Sequence, residues 1–171
     1  MTQNDLTYDL IAEPLSAEAF AAYGDVIETD GHPASVINQG RAERFRDLAM
    51  VDVEDRGGWV RVDLVEAQPE RLPMRLRLME RHPLGSQIFM PISGYRYVVI
   101  VADGTPPPTA ERLRAFWARP DQGVNYRKGV WHHPIIALDA VSQFLTVERD
   151  GPGDNLNETE IVDGSVQLRL T

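Results

Sequence analysis

Cysteine is absent from this chain. That removes disulfide frameworks, thiolate zinc sites and every cysteine nucleophile at once. Lysine is nearly absent: Lys128 is the only one, and the other sixteen basic residues are arginines. No apolar run approaches ~18 residues, and Met1-Thr2-Gln3-Asn4-Asp5 lacks the charged-then-apolar pattern of a secretory signal, so a cytoplasmic protein without a membrane span is expected. There is no G-x-G-x-x-G behind a strand, no G-x-x-x-x-G-K, no H-E-x-x-H and no G-x-S-x-G, so a nucleotide cofactor and serine hydrolysis have no motif support. Positive charge is in deficit, with 17 Lys+Arg against 26 Asp+Glu and a net charge of −9 at pH 7. A surface of that sign repels phosphate backbones, and nucleic acid is not an expected partner. What remains is a chain of 171 residues, the length of one ordinary domain spanning 1–171.

Glycine and proline punctuate the chain without forming a linker, and no internal repeat is visible. One helix is readable over residues 17–23, with Ser16 as N-cap, Leu15 and Phe20 at staple spacing, and Gly24 at the C′ position. After it the period becomes two. Val60, Val62 and Leu64 alternate with Arg61 and Asp63 behind the turn Asp55-Arg56-Gly57-Gly58, and Met74, Leu76 and Leu78 alternate with Arg75 and Arg77. Residues 95–101 (YRYVVIV), 113–117, 129–133 and 143–148 read as further short strands. Turn signals at Asp103-Gly104, Pro106-Pro107-Pro108, Pro120-Asp121-Gln122-Gly123 and Asp150-Gly151-Pro152-Gly153 separate the later ones. Many short strands with little helix predict an antiparallel sandwich or barrel. Residues 31–41 read as a surface loop, and the tail over 161–171 as an edge strand or a flexible end.

Two segments carry candidate chemistry. In residues 74–94, side chains two apart share a face of a strand, so the face of Met74, Leu76 and Leu78 continues into Glu80 and His82. A carboxylate and an imidazole on an inward face are costly unless paired or bound, and the alternative is that the strand has left the core by residue 80. Pro83-Leu84-Gly85 reads as a turn that brings Gln87 back to the same cavity. In residues 122–134, adjacent His132 and His133 point to opposite faces, so one of them at most faces a given site. Barrels of the cupin class place ligands as H-x-H-x(4)-E-x(6)-G, followed later by a single His after a turn. Laid on this chain, that spacing selects Glu80, His82, Gln87 and Gly94, then Gly129 and His132. The spacing is kept and two ligand types are substituted. Oxygen and imidazole donors suit a divalent ion such as Ni²⁺ or Mn²⁺, and a metal-free polar pocket is the other reading.

The same segments resemble the ureidoglycolate lyases of allantoin breakdown. The resemblance is carried by Ala22-Tyr23-Gly24-Asp25-Val26-Ile27, Glu80-Arg81-His82-Pro83-Leu84-Gly85-Ser86-Gln87, Leu113-Arg114-Ala115-Phe116, Gln122-Gly123-Val124-Asn125-Tyr126, Gly129-Val130-Trp131-His132-His133-Pro134 and Phe144-Leu145-Thr146-Val147, in the family's order over roughly residues 9–157. It implies a mainly β, cupin-like barrel of jelly-roll type with a short N-terminal helix, a homodimer, and a reaction that splits (S)-ureidoglycolate into glyoxylate and urea, nickel-assisted in some members. Leu156 stands where some relatives carry cysteine.

A carbinolamine substrate needs a base for its hydroxyl, an acid for the departing nitrogen and a positive partner for its carboxylate. Glu80 and His132 are the candidates for proton transfer, and Lys128 is the candidate for the carboxylate. His82, Gln87, Tyr126 and Arg96 are candidates for substrate binding. Glu80, His82, Gln87 and His132 form the ligand set if a metal binds. Arg81 is expected to point away, Trp131 to pack, and Gly85, Gly94 and Gly129 to supply turn geometry. Three readings compete: a hydrolase releasing ammonia, an organic-acid-binding cupin without catalysis, and an interaction module.

Overall fold

A computed structural model describes residues 7–102, 108–161 and 165–170. The turns read at 103–104 and 106–107 lie outside the described residues, as does part of the tail. In chain order the elements are β1 (Thr7–Pro14), α1 (Ala17–Phe20), β2 (Gly24–Ile27), β3 (Ala34–Ile37), β4 (Ala42–Phe45), β5 (Trp59–Ala67), β6 (Met74–Leu76), β7 (Leu78–Arg81) and β8 (Gln87–Pro91). There follow β9 (Tyr97–Ala102), β10 (Leu113–Ala118), β11 (Gly123–Tyr126), β12 (Trp131–His132), β13 (Ile136–Ala137), β14 (Ser142–Asp150), β15 (Asn157–Glu160) and β16 (Ser165–Leu170). The helix is shorter than its sequence pattern. Ser16 does cap it, its Oγ accepting from the Ala19 N–H at 3.2 Å. Gly24 is not its C′ residue but opens β2, where a Cβ would collide with the backbone carbonyl of Asn125.

The strands form two main sheets. A large one runs β15-β7-β12-β9-β10-β1-β16-β6 with β13 on β9, and a small one runs β2-β11-β8-β14-β5. The pairing is antiparallel except at β1, which lies parallel to both β10 and β16. Residues 31–41, read as loop, instead contribute β3 to an exposed hairpin with β4. The last described strand is neither edge nor loose tail: β16 lies between β1 and β6, with Val166 and Leu168 fully buried.

Every position of β9 is buried, which requires cover on both of its faces. Val98, Ile100 and Ala102 pack with Leu10, Leu76, Met79, Trp131 and Leu168, all from the large sheet, which must therefore curl around its own core. Tyr97, Val99 and Val101 face the other way and pack with Phe20, Phe89, Val124, Tyr126 and Phe144, filling the space between the two sheets. The curl explains a departure from the alternation read in the sequence. β6 and β7 stand near opposite ends of the large sheet, yet only Arg77 separates them in the chain. The pleat breaks at that corner, so Leu76 and Met79 share the curled core while Glu80 faces the inter-sheet space. The mainly β, barrel-like architecture with a short N-terminal helix is the one the sequence predicts.

Candidate active site

The site is built by strand register. Glu80 on β7, His132 on β12 and Val101 on β9 are successive cross-strand neighbours. Cross-strand neighbours project from the same face, and Val101 belongs to the inter-sheet core, so Glu80 and His132 face that space too. Trp131, one residue earlier, belongs to the curled core, with the Arg81 guanidinium 4.7 Å above its ring. Of the paired histidines, His132 is therefore the inward one. The His133 Nδ1 turns to the Pro134 carbonyl at 2.7 Å.

The two inward imidazoles are oriented alike. His82 Nδ1 donates to the Asn155 carbonyl at 2.7 Å, and His132 Nδ1 donates to the Val130 carbonyl at 3.0 Å. A carbonyl only accepts, so these contacts place the proton on each Nδ1 and leave a lone pair on each Nε2. Both Nε2 atoms are buried without a hydrogen-bond partner. Glu80 Oε1 lies 3.5 Å from His132 Nε2, beyond ordinary hydrogen-bond length. One ligand atom from each of Glu80, His82 and His132 lies within 4.8 Å of the others. Three lone-pair donors converging on one point repel each other unless a cation or proton sits between them. Burial lowers the His132 imidazole against the opposing pull of Glu80, which keeps it neutral. Burial works to raise the Glu80 carboxyl, but its contact with the neighbouring imidazoles, His132 first, prevails and holds it below the ordinary carboxylate value.

The opposite wall comes from the small sheet. Tyr126 is fully buried with its ring stacked on His132, centroids 4.1 Å apart and planes 5° from parallel, and its hydroxyl has no partner. Burial drives that phenol well above its ordinary pKa, so it stays protonated. Gln87 lies opposite Tyr126 in register and donates from Nε2 to Glu148 Oε2 at 2.8 Å. A cleft of about 330 Å³, lined by Arg61, His82, Glu148, Asp150, Asn155 and Leu156 among others, opens beside His82.

Glu80, His82 and His132 are thus brought together, with Tyr126 stacked on one of them and Gln87 beside Tyr126. Two other sequence candidates are placed elsewhere. Lys128 Nζ bridges Asp52 and Asp55 at 3.0 and 2.9 Å, and Arg96 forms a surface pair with Asp139 at 2.8 Å. Neither lines the cleft. Asn125 faces away from Tyr126 and holds Asp25 and the Met50 carbonyl. Sequence reasoning missed Arg61 and Glu148, which are cross-strand partners on β5 and β14 and carry no local spacing signal. It also missed why Gly85 is glycine. Its φ is not left-handed, and a Cβ there would meet the side chain of Arg149 at 2.5 Å. Gly94 and Gly129, at φ +76° and +80°, do supply turn geometry.

A double-sheeted β-barrel carrying a two-histidine, one-carboxylate cluster between its sheets has a cupin-like architecture. The chain belongs to the ureidoglycolate lyase family, whose model matches residues 7–168. It is 51% identical over 152 residues to a ureidoglycolate lyase of Burkholderia mallei, covering 89% of each chain, and 45% identical over 164 residues to one of Brucella anthropi, covering 95% of each. Among solved structures it is similar to a 3,4-ketoisomerase from Helicobacter canadensis, with a TM-score of 0.45 and 15% identity over 77% of this chain and 87% of that one.

Proposed function

We propose that the chain is a ureidoglycolate lyase, a carbon–nitrogen lyase that releases urea from (S)-ureidoglycolate and leaves glyoxylate. The observation that carries this reading is the convergence of Glu80, His82 and His132 on one buried point facing Tyr126. In the elimination, the hydroxyl O–H of the substrate becomes the carbonyl of glyoxylate as the C–N bond breaks, and one proton passes from that oxygen to the departing nitrogen. Glu80, ionised at rest, takes the proton on a carboxylate oxygen and returns it to the nitrogen. His132 Nε2 is an acceptor and takes a hydrogen bond from a ureido N–H, which holds the substrate beside Glu80. The Tyr126 hydroxyl donates a hydrogen bond to the ureido group, and Gln87 completes the binding wall.

The unpartnered Nε2 atoms and the adjacent carboxylate are a donor set that fits a divalent metal such as Ni²⁺, which His82, His132 and Glu80 would hold. When bound, such an ion lowers the pKa of the substrate hydroxyl and offers positive charge to its carboxylate. The cellular setting we infer is a cytoplasmic homodimer without nucleic-acid or membrane partners. The net charge of −9 disfavours nucleic-acid backbones, no helix among the described residues is long and apolar enough to cross a membrane, and the homodimer is what the family resemblance implies.

Racemic ureidoglycolate, incubated with the protein with and without chelator and beside a no-protein control, tests the reading. Glyoxylate with matching urea and no ammonia is the expected result. Ammonia in place of urea would move the reaction to the ureido carbonyl, and binding without turnover would leave an organic-acid-binding barrel.

A further inference from the structure

The small sheet carries a row of polar side chains that the chemistry above uses only in part. Tyr126, Gln87, Glu148 and Arg61 are successive cross-strand neighbours on β11, β8, β14 and β5, so all four project from one face. Hydrogen bonds run along the row in one direction. Arg61 has N–H groups only, and its Nη2 donates to Glu148 Oε1 at 2.5 Å, while Asp63 and Asp150 hold its other nitrogens. The Glu148 carboxylate, paired with Arg61, only accepts, so its second oxygen must receive the NH₂ end of Gln87, as it does at 2.8 Å. The Gln87 carbonyl oxygen is left turned away from Glu148, buried and without a partner. Next to it in the row, Tyr126 stacks on His132, and Glu148 shares its cleft with His82. The bare carbonyl therefore stands at the edge of the Glu80–His82–His132 cluster, where a bound N–H donor would satisfy it.

We propose that Glu148, locked by Arg61, is a positioning residue that turns the Gln87 carbonyl into the site, where it accepts the terminal N–H of the ureido group. The assignment rests on the ureidoglycolate reading above. It makes the row a setting of polarity. With Glu148→Gln, Arg61 claims the oxygen of the new amide, whose NH₂ then donates to Gln87 Oε1 and turns the Gln87 NH₂ into the site. An acceptor becomes a donor, without change of size.

Two non-reacting probes of equal size read this directly. N-carbamoylglycine and N-acetylglycine differ only in a terminal NH₂ against a CH₃. Both are titrated by calorimetry into the full chain and into Glu148→Gln, Glu148→Ala and Gln87→Met, with ureidoglycolate turnover followed in parallel. The unsubstituted protein is expected to bind N-carbamoylglycine at least about tenfold more tightly, the usual effect of leaving a buried polar group unpaired. Each variant that folds loses that preference while binding N-acetylglycine as before. Glu148→Ala, which frees the Gln87 amide to rotate, serves if Glu148→Gln does not fold. Equal binding of the two probes by the unsubstituted protein would overturn the proposal. So would an equal weakening of both probes in the Glu148 variants, the pattern of a merely structural role. Discrimination between the probes without turnover of ureidoglycolate would uphold the positioning role and sink the lyase reading instead.

Discussion

At the residue scale, the site depends on what the backbone does to two imidazoles. The carbonyls of Asn155 and Val130 take the Nδ1 protons and so aim both Nε2 lone pairs at Glu80. Replacing His132 with alanine removes one of three converging atoms. Glyoxylate release is expected to fall to the uncatalysed rate and Ni²⁺ affinity to fall at least about tenfold in calorimetry, with the β-type circular dichroism retained. A substitution outside the cluster should act on stability. Arg149 is buried, and its guanidinium donates to the carbonyls of Asp55 and Pro152, tying the turn before β5 to the segment that presents Asn155. Gly58 and Gly85 leave the room its stem occupies. Gly85→Ala overpacks that channel and is expected to destabilise by about 1–3 kcal/mol, read as a lower urea midpoint at unchanged slope.

At the element scale, β16 is the strand whose role the sequence leaves open. Truncation after residue 164 would uncover β1 and β6 and remove the buried Val166 and Leu168 from the curled core. The expected result is loss of the cooperative thermal transition and aggregation, because two unpaired edges are templates for other chains. The short strands read in the sequence fall on β5, β9, β10 and β14, β5 by its alternation and β9 by its run of β-branched and aromatic residues. The sequence pattern misleads in two places for physical reasons. The hairpin of β3 and β4 buries almost nothing, so it has no apolar face to show a period. The corner at Arg77 is imposed by closure of a sheet over distant strands, and no local residue announces it. The candidate site divides the same way. Glu80, His82, Gln87 and His132 sit at a readable spacing along the chain. Glu148 and Arg61 join them only through pairing between β8, β14 and β5, which a linear sequence does not display.

At the scale of the whole molecule, binding at a site that closes the gap between two sheets should register as stability. A divalent ion held by Glu80, His82 and His132 would favour the folded state by about 2.7 kcal/mol at a hundredfold excess over its dissociation constant. Added Ni²⁺ is therefore expected to raise the melting temperature of the chelator-treated protein by several degrees, and His82→Ala should abolish the rise in a thermal-shift titration. The parallel placement of β1 between β10 and β16 also bears on how the protein is made. Strand β1 is synthesised first, and one of its two neighbours is not available until residue 170 has been added. Until then the curled core is open along one seam, and the corner at Arg77 that sets Glu80 has nothing to close against. A growing chain therefore carries its candidate site residues long before it can arrange them, and its curled core stays open until synthesis passes β16.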